Sequence, residues 1–279
     1  MNRRNSRLRM EFKQRALQQT SNNDAYEARQ ELQNALTGVA ALPSHMQKDA
    51  VSLNTKSKYD GVDSPTLEDE YSHVTVPKIL LTTSREPSPR LKLFSKELKI
   101  VFANTQRVNR GQTTINQLVN SARAADFSDI IILHETRGRP DGMVVSHLPH
   151  GPTVYFNLNQ IQLRSEVGGD NQPEKAPQLV FEGMESKIGK RITQVMKHLF
   201  DQAKPESERA VSFVNRSDCV VFRQHVFERV GKEVLLKEIG PRFNMNPYRI
   251  QVDAIDAKAP DVEWQLNTFS SASFKQQIL

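Results

Sequence analysis

The sequence is short of several things, and each shortage closes off a class of protein. One cysteine, Cys219, stands in 279 residues; no intramolecular disulfide and no cysteine-built zinc site can form, and a reducing compartment is expected. No apolar signal core opens the chain and no apolar run is long enough to cross a bilayer, so a soluble intracellular protein without membrane contact is expected. Hydrophobic residues make up 37% of the chain and aromatic residues 7%. A mean hydropathy of -0.57 places part of the length outside any core. Net acidity is missing too. Lys and Arg number 38 against 32 Asp and Glu, a net charge of +6, which points to a polyanionic partner, because clustered cations release counterions when they meet phosphates.

Catalytic patterns are also missing. Gly183-Met-Glu-Ser-Lys-Ile-Gly189-Lys190-Arg191 follows a strand and opens a helix as a phosphate-binding loop does, but five residues separate the glycines where four are needed. Arg191 also replaces the hydroxyl that would reach magnesium. His134, His147 and His150 have no cysteine or nearby carboxylate to complete a zinc set. No nucleophile elbow and no carboxylate pair stands out. The sequence therefore assigns no catalytic residue, no metal, no cofactor and no small-molecule substrate.

What is present is an α/β pattern behind a polar leader. Residues 1 to about 40 read as a helical basic arm with Arg3, Arg4, Arg7, Arg9, Lys13 and Arg15. Residues 38–71 read as a linker with an acidic cluster at Glu68, Asp69 and Glu70. The expected division is 1–76 for arm and linker, 77–168 for a first α/β half, 169–270 for a second half and C-terminal segment, and 271–279 for a tail. In the first half, strands are expected at 78–84, 106–108 and 129–133. Ser88-Pro89 opens a helix carrying Leu91, Phe94, Leu98, Val101 and Phe102, and a second helix covers 113–124. His134–Leu158 reads as a strand platform with basic loops, its last strand marked by alternating Val154, Phe156 and Leu158. In the second half a strand at 178–181 precedes a helix at 186–200. That helix turns Ile188, Ile192, Val195, Met196 and Leu199 inward and Lys187, Lys190, Arg191, Lys197 and His198 to a basic side.

The second half echoes the first. Val108-Asn-Arg is matched by Val214-Asn-Arg, Ile130–Leu133 by Val220, Val221 and Phe222, and Gly151-Pro152 by Gly240-Pro241. The offset is 106 residues at Val-Asn-Arg (108 against 214) and 89 at Gly-Pro (151 against 240). The shortfall of 17 is about one helix with its loop, which assigns the helix at 113–124 to the first half alone. A duplicated α/β unit follows, with two sheets expected to pack as one pseudo-symmetric domain.

Cations recur at strand ends and turns, several beside Gly or Pro, where arginine's planar fork suits phosphate recognition. Arg85, Arg90, Arg107, Asn109, Arg110, Arg137, Arg139, Asn215, Arg216 and Arg223 are candidate RNA contacts, with His147 and His150 as loop donors or stacking rings.

Thr82-Thr-Ser-Arg-Glu-Pro-Ser88, Val108-Asn-Arg-Gly111, His147-Leu-Pro-His-Gly-Pro-Thr153, Lys197-His-Leu-Phe200, Arg223-Gln-His-Val226, Gly240-Pro-Arg-Phe243 and Asp261-Val-Glu-Trp-Gln-Leu266 stand in an order that resembles the Brix-domain proteins of ribosome biogenesis. Most of all they resemble the branch found in the small nucleolar ribonucleoprotein that processes the small-subunit ribosomal RNA precursor. The resemblance covers about residues 77 to 270. It implies a Brix domain of two pseudo-repeated, anticodon-binding-like α/β halves, RNA binding without catalysis, and residence in the nucleolus. It also implies partners: the snoRNA and the pre-rRNA, an acidic scaffold protein and a small RNA-binding companion. Where relatives carry basic residues after Gly-Pro-Arg-Phe, this chain has Asn246, Pro247 and Gln251, and Asp253 replaces a glycine; Arg139 stands where relatives have an uncharged residue. The first arm, with Arg137 and Arg139, is thus the expected RNA face of a small-subunit processome assembly factor. A protein-only scaffold adaptor and, more remotely, a nucleotide-dependent enzyme are the alternatives.

Overall fold

The computed structural model describes residues 7–12, 76–102, 104–168, 176–201, 207–230, 233–266 and 279. The chain forms two compact units, one of them Arg3–Thr75. In that unit residues 7–12 are helical, and Arg7 pairs with Glu11 one turn on at 2.8 Å. The rest of the expected arm, the linker, and the tail up to residue 278 lie outside the described residues.

The larger unit is built on one sheet. β1 (Ile79–Thr83) is buried along its whole length, as a strand covered on both faces must be, which is why it reads as a continuous apolar run. α1 (Pro89–Val101) starts where Ser88 accepts from the Leu91 N–H, with proline in the first helical turn. β2 (Thr105–Arg107) and β3 (Asp129–Thr136) flank β1 and run parallel to it. α2 (Ile115–Ala124) crosses between β2 and β3 and opens with a capping box of Thr114 and Gln117. β4 (Arg139–His147) and β5 (Thr153–Gln162) continue as antiparallel hairpins, and the short α3 (Arg164–Val167) closes this half.

In the second half β6 (Gln178–Glu182) leads through α4 (Lys187–Lys197) to the parallel β7 (Arg209–Arg216). β8 (Cys219–Val230) runs back antiparallel and carries β9 (Glu233–Glu238) on its far end. β10 (Arg242–Gln251) pairs with both β8 and β5, and β11 (Val262–Gln265) pairs with β10.

The expectation of two packed sheets is therefore corrected. A single 11-stranded sheet runs β2-β1-β3-β4-β5-β10-β8-β7-β6, with β9 on β8 and β11 on β10 off that path, because β5 and β10 hydrogen-bond antiparallel from Arg242 opposite Gln162 to Gln251 opposite Thr153. The strand directions of β1, β3, β4 and β5 recur in β6, β7, β8 and β10. The short identities do not all fall on that correspondence. Residues 108–110 form a loop after β2 whereas 214–216 finish β7, and Ile130–Leu133 lies in β3 while Val220–Phe222 lies in β8. The Gly-Pro pair does correspond: Gly151-Pro152 and Gly240-Pro241, both cis, each precede one strand of the central pair.

The two faces of the sheet pack differently. On one, Leu118, Val119 and Ala122 of α2 meet Leu80, Ile130, Ile132, Val144 and Leu148. On the other, α1 places Phe94 against Phe243 (centroids 5.6 Å), and a relay of rings continues through Phe222 (4.4 Å), Phe213 (5.3 Å) and Phe200 (6.1 Å) back to Phe102 after α1 (5.1 Å). Both ends of that relay belong to the first half and its middle to the second. Arg209, 1% exposed at the start of β7, reinforces the join by donating to the Val101 carbonyl at 2.7 Å, where the negative end of the α1 dipole favours a cation. Burial pushes its pKa down to about 10, so it stays charged near neutrality.

Gly151 is required by close approach. Its φ is +99°, and a Cβ there would lie 2.2 Å from the Val252 carbonyl oxygen and 2.5 Å from the Asp253 carbonyl carbon. At Gly111, φ is also positive (+53°), but nothing lies within 4 Å. Gly151→Ala is expected to cost about 3 kcal/mol in urea denaturation, against about 1 kcal/mol for Gly111→Ala.

Candidate nucleic-acid interface

The C-terminal ends of three parallel strands come together at one end of the first half. β1 and β2 are in register at Leu81 and Arg107, and β1 and β3 at Thr83 and Leu133, so Arg85, Arg107, Asn109, Arg110 and the β3–β4 turn emerge side by side. That turn consists of Arg137 (φ 53°) and Gly138 (φ 75°), the pair of positive φ values that matches hairpin twist. A register shift between His134 and Glu135 bends the strand just before it. The turn is tied to α1: the Ser88 backbone N–H and hydroxyl both donate to the Glu135 carboxylate, and the hydroxyl also lies 3.5 Å from the Gly138 carbonyl.

This end is electropositive for two reasons. Among the described residues Arg85, Arg137 and Arg139 are exposed and make no hydrogen bond or ion pair. Arg107 donates to Ser95 at 3.2 Å and Arg110 to the Thr113 carbonyl at 3.4 Å. In addition, α1 and α2 both begin here, and neither has an acidic residue in its first turn; Glu135 already sits against the α1 end, so the α2 N-terminus is the one that adds its partial positive charge. Partial burial, and secondarily Arg85, lowers the Arg110 pKa. Burial first and Arg110 second lower that of His134, against the opposing charge of Asp141.

The other expected contacts are placed elsewhere. His147 is 2% exposed, with Nδ1 2.9 Å from Asp129 Oδ1; it is an interior residue, not a loop donor. It lies at the opposite end of β4 from Arg139, about 27 Å away at ~3.4 Å per residue. His150 sits half-buried in the turn beyond it. Arg90 is held by the Ile161 carbonyl and Glu166, both at 3.2 Å, joining α1 to the end of β5 and α3. Arg223 shares Glu238 with Arg242, at 3.8 and 3.6 Å, and burial is the main cause of its lowered pKa. Asn215 donates to the Gly183 carbonyl at 2.8 Å. Exposed Arg216 ends β7, four strands across the sheet from β4. On α4, Lys187, Lys190 and Lys197 face outward, whereas Arg191 is 3% exposed and paired with Glu263 at 3.2 Å. The basic side expected of that helix is narrower for it.

Sequence reading missed two arrangements. The Ser88–Glu135 clamp joins residues 47 apart, and no periodic signal marks it. The second is a buried polar cluster: Asp129 accepts from the Ser128 hydroxyl (2.7 Å) and meets His147, while His198 at the end of α4 is coupled electrostatically to both. Ser128 bonds to the acid and not to an imidazole, so the group lacks the hydroxyl–base contact of a nucleophile.

A family model described as the Brix domain matches residues 84–249, more than half of the chain. The chain belongs to the Brix-domain family. Across its whole length it is 39% identical to the Brix domain-containing protein ZK795.3 of Caenorhabditis elegans, covering 97% of that protein. It is 36% identical to the U3 small nucleolar ribonucleoprotein protein IMP4 of Homo sapiens, covering 99% of it, and 36% identical to that of Saccharomyces cerevisiae, covering 100%.

The buried cluster sets a pH dependence. Burial above all, then His147 and Lys197, lowers the His198 pKa from 6.5 to about 4, with Asp129 opposing. The unfolded chain therefore takes up this proton first, and the stability carried by the neutral ring is complete above pH 6.5 and lost as pH falls toward 4. Between about pH 7 and about pH 4.5, His198→Asn should lose on the order of 2 kcal/mol less stability than the parent in urea titrations.

Proposed function

We propose that the chain is a non-catalytic RNA-binding assembly factor of the small-subunit processome. It acts in the nucleolus and supports the pairing of snoRNA with small-subunit pre-rRNA. The observation that carries this reading is the convergence of Arg85, Arg107, Arg110, Arg137 and Arg139 with the α2 N-terminus on one end of the β1–β4 sheet. The exposed guanidiniums of Arg85, Arg137 and Arg139, with Arg107 and Arg110 beside them, grip phosphates, and the Ser88–Glu135 clamp holds the β3–β4 turn at Arg137 and Arg139. Relatives named as U3 small nucleolar ribonucleoprotein proteins support the choice of RNA. On the same reading an acidic scaffold protein and a small RNA-binding companion complete the particle.

The absence of catalysis is supported by chemistry. The loop at Gly183 to Gly189 cannot cradle phosphates as a nucleotide site does: Gly189 is buried inside the first turn of α4 and Arg191 is committed to Glu263. The Ser128–Asp129–His147 group is closed to solvent. Likeness of strand order between the halves supports descent of both from one duplicated α/β unit.

Binding of a pre-rRNA fragment should weaken as salt rises, with a log–log slope that counts the phosphates engaged. Arg85→Gln, Arg137→Asn and Arg139→Gln together remove three cations while leaving the turn its tolerance of positive φ, and should flatten that slope by about 2. An unchanged slope with unchanged affinity would remove this surface from the account.

A further inference from the structure

β9 departs from the way edge strands are usually kept from pairing. It reads Glu-Val-Leu-Leu-Lys-Glu, and Val234, Leu235 and Leu236 are 55%, 57% and 66% exposed. Among the described residues its one strand partner is β8. Proline and bulges are absent, and the register runs unbroken from Val230 opposite Glu233 to His225 opposite Glu238. Apolar side chains thus project from both faces of a regular edge, a ready template for another strand.

The direction of the free backbone groups follows from the ladder. Ile239 N–H donates to the Gln224 carbonyl at 3.0 Å, so the alternate residues Lys237, Leu235 and Glu233 turn their N–H and C=O toward β8. Glu238, Leu236 and Val234 turn theirs outward. On β8, Phe227 N–H donates to the Glu208 carbonyl on the β7 side, which agrees with that parity.

We propose that this edge pairs antiparallel with β9 of a second copy of the chain, Leu235 facing Leu235. Outward residues must meet outward residues, so only registers that oppose even-numbered residues to even-numbered ones are allowed. Centring on Leu235 sets Glu233 against Lys237 at both ends and Val234 against Leu236. Glu233 and Lys237 then meet their opposites and every apolar side chain meets another, while Glu238 stays with Arg223 and Arg242. Centring on Leu236 opposes Leu235 to Lys237 and Val234 to Glu238, and centring on Val234 opposes Glu233 to Leu235. Of the registers that the hydrogen-bond geometry permits, this is the one in which the strand is complementary to itself. Pairing this short buries less than the ~1,200 Å² of a standard interface, so the dimer forms and dissociates with concentration.

Sedimentation velocity on the full chain from about 5 to about 200 μM should show the weight-average mass rising toward that of a dimer. Leu235→Arg, which opposes two like charges on the symmetry axis, should stay monomeric throughout. In a Cys219→Ser background, Leu235→Cys should cross-link on mild oxidation several-fold more than Leu236→Cys, because the Leu235 pair is the non-hydrogen-bonded kind with Cα atoms about 4.5 Å apart, within disulfide reach. A chain monomeric at every concentration, or equal cross-linking at the two positions, would overturn the proposal.

Discussion

Everything else in the larger unit depends on the antiparallel ladder between β5 and β10. Each half ends in a strand that would otherwise be an open edge, and joining the two edges satisfies both sets of backbone groups at once. The Gly-Pro turns deliver the two strands to that ladder. At Gly151 the chain passes so close to Val252 and Asp253 that no side chain fits. The phenylalanine relay and Arg209 then lock the joined sheet to α1 from one face, so the first half's helix is held partly by residues of the second.

That join fixes where charge can gather. Loops at the C-terminal ends of β1, β2 and β3 emerge on the same side, because the three strands are parallel and adjacent, and the α1 and α2 N-termini emerge with them. Four arginines of the second half are put to other uses: Arg209 and Arg191 are buried against a carbonyl and a carboxylate, and Arg223 and Arg242 share Glu238. Among the described residues, three exposed arginines without internal partners gather at the end of the half that carries the extra helix, whereas Arg216 stands by itself at the end of β7.

Much of the fold was legible from pattern. Ser88-Pro89 marks the start of α1, and the alternation at Val154, Phe156 and Leu158 marks β5. Which strands correspond was not legible from Val-Asn-Arg, since a three-residue identity carries no information about pairing. The expectation of two sheets failed for the same reason: a strand's sequence shows which face is buried but not which edge is shared. At the site, Arg85, Arg110, Arg137 and Arg139 were legible as exposed turn cations. His147 was not recognisable as interior, because its partner Asp129 lies 18 residues away and is brought opposite it only by the β3–β4 register. Arg90, Arg191 and Arg223 read as free cations because their acidic partners are remote in sequence or on another element.

The most direct test of the account is a map of protein–RNA crosslinks in the assembled particle. Crosslinked nucleotides should fall on residues 85–110 and 134–139, with few on β7 and β8. A map concentrated on Arg216, Arg223 and β10, with none at the β3–β4 turn, would contradict it.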